Sequence, residues 1–170
     1  MYKDLPVPDL DVSATASFTP PNATARLFAT ERSAKRILCE GDCRYRIPTP
    51  AQRQALLVGF AMCGKPLIGK AYDAVRLEAD VDLDSAEDIA SKNASIVVVE
   101  IKSTNRSGVG PDLSGYFFNI TASELTIAQT LKDQFRFVFL NIIRGDWIEL
   151  TLGEVLARAK AMYPAFHIRL

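Results

Sequence analysis

One histidine and three cysteines are all that 170 residues offer as soft metal ligands. An odd cysteine count argues against a disulfide framework. Cys39 and Cys43 stand as C-x3-C, but Cys63 and His167 do not complete a zinc set at a recognisable spacing. The cysteines therefore read as small core residues. Net charge is missing too: 20 basic residues balance 20 acidic ones. No global field draws the chain onto a polyanion, so any nucleic-acid site has to be a local cleft. Long apolar runs are absent, none approaching the roughly 18 residues of a membrane span. The first residues lack the basic-then-apolar pattern of a signal peptide, which sets the expectation of a cytoplasmic protein without membrane contact. Internal repeats and low-complexity tracts are absent as well. What remains is 48% apolar and 24% charged, a globular composition of one-domain length.

Along the chain, residues 1–20 carry three prolines and little periodicity and read as an irregular arm. Residues 21–66 read as a helical part. One helix runs from about Asn22 to Leu38, with Ala25, Phe28, Ala29 and Ile37 as an apolar stripe. A second is capped by Thr49, has Pro50 in its first turn, and stops at Gly64. Residues 67–170 read as an α/β core. Strands are expected over about 68–83, over 95–104 and at "YFFNI", with "NRSGVGPDLSG" as a loop. Capping boxes at Thr121–Glu124 and Thr151–Glu154 start the helices "ASELTIAQTLKD" and "LGEVLARAKAM". Between these helices, "FRFVFLNI" reads as a buried strand, "RGD" as a turn and "WIEL" as a short strand. The fold class is thus α/β: a mixed central sheet flanked by helices, with an N-terminal helical extension, as a single domain.

The stretch "SIVVVEIKST" holds the chemistry. Four apolar residues mark an interior strand, yet it ends in Glu100 and Lys102, which share a face because strand side chains alternate. Charged side chains are seldom buried unless they are paired or bind something. Upstream, the odd positions from Ala71 to Leu83 are apolar except for Asp73. Asp80, Asp82 and Asp84 fall on the alternate face, assigned to solvent, and stand as the alternatives to Asp73. An antiparallel pairing with a turn near 85–93 places Asp73 opposite about 102–106, within reach of Glu100 and Lys102 once register error is allowed. Two such carboxylates supply the hard oxygen ligands suited to Mg²⁺, or to Mn²⁺ in its place. A lysine beside them can orient or deprotonate the attacking water.

With "AYDAV" carrying Asp73 and "VVVEIKST" carrying Glu100 and Lys102, the chain resembles the PD-(D/E)XK nuclease superfamily. Residues 68–145 look most like its NO VEIN C-terminal type, through the E-x-K strand, an aromatic strand, the helix with its Glu124 turn and a closing apolar strand. No proline precedes Asp73, and an acidic insertion separates it from Glu100. The resemblance implies a restriction-endonuclease-like core and Mg²⁺-dependent hydrolysis of DNA phosphodiesters. Asp73, Glu100 and the Ile101 carbonyl would hold the metal, and Lys102 would serve the water. It also implies a role in restriction or defence against foreign DNA. Ser103, Thr104 and Arg106 are candidate phosphate contacts, and Glu31 a possible extra acid. Glu124 is explained by capping, Gln129 reads as a surface residue and Trp147 as core or edge packing. The basic residues between Arg32 and Arg46, with Tyr45 among them, form a solvated helix face or a DNA contact. A neutral chain with few phosphate contacts binds DNA weakly, so a homodimer or a DNA-targeting partner is expected. The rival reading is an inactive nuclease-like DNA-binding or assembly module.

Overall fold

The longest apolar run in the chain becomes the centre of a sheet. In the computed structural model, which describes residues 21–163, strand β3 (Ile96–Thr104) lies third in a five-stranded sheet ordered β1-β2-β3-β4-β5. Its neighbours are β2 (Ala74–Leu77), antiparallel, and β4 (Phe135–Asn141), parallel. A two-residue β1 (Tyr45–Arg46) and β5 (Asp146–Leu150) form the antiparallel edges. With both neighbours taken and both faces covered, residues 96–101 of β3 are buried, which is why the strand reads as a continuous apolar run.

Helices cover the two faces unequally. Helix α1 (Pro21–Gly41) lies alone on one, where Ala34 and Leu38 pack on Ala74, Val97, Val99, Ile101, Val138 and Leu140. The other face carries α2 (Pro50–Met62), α3 (Ala86–Ser91), α4 (Ala122–Leu131) and α5 (Leu152–Arg158). Leu56, Phe60, Ile89, Ile127, Leu131 and Val155 pack there on Val75, Ile96, Val98, Phe135 and Phe137. The capping boxes at Thr49, Thr121 and Thr151 fix the starts of α2, α4 and α5. The parallel β3–β4 pair needs a crossover, and α4 supplies it.

Several expectations are corrected. The strand expected over 68–83 shrinks to four residues, and the expected turn at 85–93 contains α3, capped by the Ser85 hydroxyl on Asp88 N–H. "YFFNI" is not a strand. Its rings alternate as strand residues would, but β3 has β2 and β4 on its two edges and β4 has β3 and β5. Tyr116 and Phe118 therefore fold onto Phe139, at centroid distances of 5.4 and 4.7 Å, and leave Phe117 exposed. The third strand before α4 is β1, too short to show in the sequence. α5 ends at Arg158 and not near Met162. The cysteines are not core residues: Cys39 is half-buried, while Cys43 and Cys63 are exposed. Trp147 does pack at an edge, against Gly41 at the end of α1. The arm at 1–20 and His167 lie outside the described residues. Among the described residues, no helix is long and apolar enough to cross a membrane.

Candidate functional site

Just before β2 begins, the sheet opens beside β3. Asp73 N–H donates to the Val99 carbonyl at 2.8 Å, although Val99 is already the ladder partner of Ala74. Two residues thus face one, the count of a β-bulge. The extra residue takes Asp73 out of the alternation that its sequence position implied. Its carboxylate lies level with the sheet, where Oδ2 accepts the Ile101 N–H at 3.1 Å, a position the next β2 residue would otherwise fill. Asp73 therefore meets residues 99–101 and not 102–106, closer to Glu100 than expected. The Ile101 carbonyl leaves the strand on the same side as its N–H, past the first residue of β2.

Glu100 and Lys102 occupy the face under α4. Glu100 is 9% exposed and Glu124 6%. Lys102 Nζ bridges them, 3.0 Å from Glu100 Oε1 and 2.7 Å from Glu124 Oε2. Glu124 does more than its sequence position suggested. One carboxylate both accepts the Thr121 N–H to close the capping box and holds Lys102. The β3–α4 crossover makes this meeting possible, since it returns the start of α4 over the carboxyl end of β3.

Burial pushes the Glu100 carboxyl up to about 8, and the neighbouring charges of Asp73 and Glu124 add to this against the pull of Lys102. Burial alone would lower the Lys102 ammonium, but Glu100 and Glu124 outweigh it and hold the group above its ordinary value. A buried carboxyl whose charged form is disfavoured by burial and by a neighbouring carboxylate is one that a divalent cation would relieve.

Two further residues reach Asp73. Lys35 on α1 places Nζ 3.0 Å from Asp73 Oδ1 and also pairs with Glu31 one turn away. Arg53 on α2 lies over the Tyr72 ring, 4.8 Å from its centroid. Its guanidinium donates to the carbonyls of Gly69, Tyr72 and Asp73 at 3.3, 2.9 and 2.9 Å. Arg53 thereby fixes the backbone that delivers Asp73. It is the only charged residue of α2, a signal that the sequence did carry. Lys35 offered only its i,i+4 spacing from Glu31.

The other candidates fare unequally. Glu31 is half exposed and reaches Asp73 only through Lys35. Ser103 lies on the α1 side of β3, away from Glu100 and Lys102, because alternation separates odd from even positions. Thr104 shares their face, but its hydroxyl accepts the Arg106 N–H at 3.2 Å. Arg106 is exposed, and its carbonyl is tied to Asn141 at 3.0 Å. Asp80, Asp82 and Asp84 are exposed beyond the opposite end of β2, so none can serve as the first acid. Gln129 is exposed on α4.

Comparison of the chain with protein-family models, curated proteins and solved structures finds no match. The functional reading therefore rests on these side chains. Among the described residues, no three acidic, histidine or cysteine side chains converge into a ready-made metal cage. Asp73, Glu100 and the Ile101 carbonyl nevertheless fit a cation such as Mg²⁺, which is commonly held by one or two carboxylates with water and substrate phosphate completing its shell.

Proposed function

We propose that this chain is a metal-dependent deoxyribonuclease of the restriction-endonuclease-like type, acting in restriction or defence against foreign DNA. One observation carries the reading: where β2 breaks away from β3, the Asp73 carboxylate sits on the Ile101 N–H, its charge acts on the neighbouring buried Glu100 carboxyl, and Lys102 pairs with Glu100. The α4 crossover to a strand parallel to β3 agrees with what the resemblance implies, although α2 and α3 interrupt the three strands before it.

A bound Mg²⁺ or Mn²⁺ would polarise the phosphoryl oxygen and acidify a water molecule. Asp73 and Glu100 would hold it with the Ile101 carbonyl. Lys102, whose ammonium is held above its ordinary value by Glu100 and Glu124, orients the attacking water and offsets phosphate charge. Glu124 holds the Lys102 ammonium. Arg106, exposed in the following loop, is placed for a backbone phosphate.

A second reading is an inactive module of the same fold. It is favoured by the completeness of the charge pairing, with Lys102 satisfied by two carboxylates and Asp73 by Lys35. Cleavage of plasmid and linear DNA in Mg²⁺ or Mn²⁺ decides between them. Metal-dependent cutting is expected for the wild type, with loss of about a hundredfold or more in Lys102→Ala and Asp73→Ala. Retained cutting in Asp73→Ala would remove it as a ligand. A wild type that binds DNA but never cuts would favour the module.

A further inference from the structure

Two ammonium groups flank the carboxylate pair, one from each face of the sheet. Lys102 comes from β3 on the α4 side, and Lys35 comes from α1 on the other. Both oxygens of Asp73 are engaged: Oδ2 by the Ile101 N–H and Oδ1 by Lys35. These partners differ in what they permit. A backbone N–H is fixed in the strand, and its oxygen keeps a lone pair free. An ammonium in contact with the same carboxylate repels any cation that approaches it.

Lys35 can leave at small cost. Its stem is a flexible four-carbon chain, and its second partner, Glu31, lies one turn away on the same helix with a half-exposed side chain. Released from Asp73, the ammonium stays tethered at the rim of the site. There it faces the phosphate that a metal on Asp73 and Glu100 would draw in.

Resting on the reading of Asp73 and Glu100 as metal ligands, we propose that Lys35 is a displaceable counter-ion. It holds Asp73 in the metal-free protein and moves to the nucleic-acid phosphate when a divalent cation takes that carboxylate. Lys35 is then a substrate contact, and apparent metal affinity reports the competition between the two cations.

The test is Mn²⁺ binding by calorimetry on the full chain, for wild type, Lys35→Met, Lys35→Gln and Asp73→Asn. A companion measurement follows a DNA duplex by anisotropy in Ca²⁺. Methionine keeps most of the packed stem, so Lys35→Met is expected to stay folded, and the glutamine variant checks that the result follows the lost charge. Removing the competitor should tighten Mn²⁺ binding about threefold, the scale of a partly exposed pair. Duplex binding should weaken by a similar factor, and Lys35→Arg should restore it. Mn²⁺ binding that depends on Asp73 but is unchanged or weaker in both Lys35 variants overturns the displacement. Tightened Mn²⁺ binding with unchanged duplex affinity overturns the phosphate role. A wild type without Asp73-dependent Mn²⁺ binding overturns the metal site itself, and this inference with it.

Discussion

Glu100 is the residue on which the site's electrostatics turn. Its proton is held more tightly in the folded protein than in the unfolded chain, because burial raises the carboxyl from 4.5 to about 8. A raised value means that the stabilising contribution is complete below about pH 4.5 and is lost as the pH rises through about 8. Metal-free protein should therefore melt progressively lower, relative to Glu100→Gln, as the pH climbs across that window. Saturating Mg²⁺ should reverse the trend in the wild type alone. Thermal unfolding in chelator and in Mg²⁺ across the pH series checks both; parallel curves for the two proteins would remove Glu100 as the titrating group.

At the scale of elements, the site depends on how two helices meet the sheet. Helix α4 brings Glu124 to Lys102 only because its capping box sets where the helix begins. Helix α2 brings Arg53 to the backbone before β2, and its own seat is fixed by close packing on α3. A Cβ at Gly59 would lie 2.5 Å from Ile89 Cγ2 and 2.8 Å from the Ala86 carbonyl oxygen. Backbone cannot yield as a flexible side chain can. Gly59→Ala is therefore expected to cost about 1–3 kcal/mol of stability. Because Arg53 rides on the same helix, metal affinity should fall with it. Denaturant unfolding paired with Mn²⁺ titration reads both, and a variant as stable as wild type would show that the helices separate freely. The local devices here, the capping boxes at Thr121 and Thr151, the Thr49 cap and the proline in the first turn of α2, were legible in sequence because each lies within four residues. Strand β1, the bulge at Asp73 and the loop fate of "YFFNI" were not. Each is decided by which strand edges are already occupied, and no local spacing encodes that.

For the whole molecule, the balance of 20 basic and 20 acidic residues matters most. Under the proposed reading, and without a net field, duplex binding would rest on a few local contacts and should be weak, with a shallow salt slope. Under the proposed reading, duplex cutting calls for two sites on antiparallel strands, which a two-fold dimer supplies. Below the dimerisation midpoint, the cleavage rate should rise with about the square of protein concentration. A linear dependence, with sedimentation as a monomer, would instead point to a partner subunit. The sequence by itself determined the buried strand, its E-x-K ending and the helix starts, because alternation and capping act over short spacings along the chain. Only the tertiary structure decided that Asp73 lies level with the sheet, that Glu124 shares Lys102, and that Lys35 and Arg53 converge on Asp73. Those contacts join residues 20 to 38 positions apart, and they exist only once the strands have paired and the helices have chosen their faces.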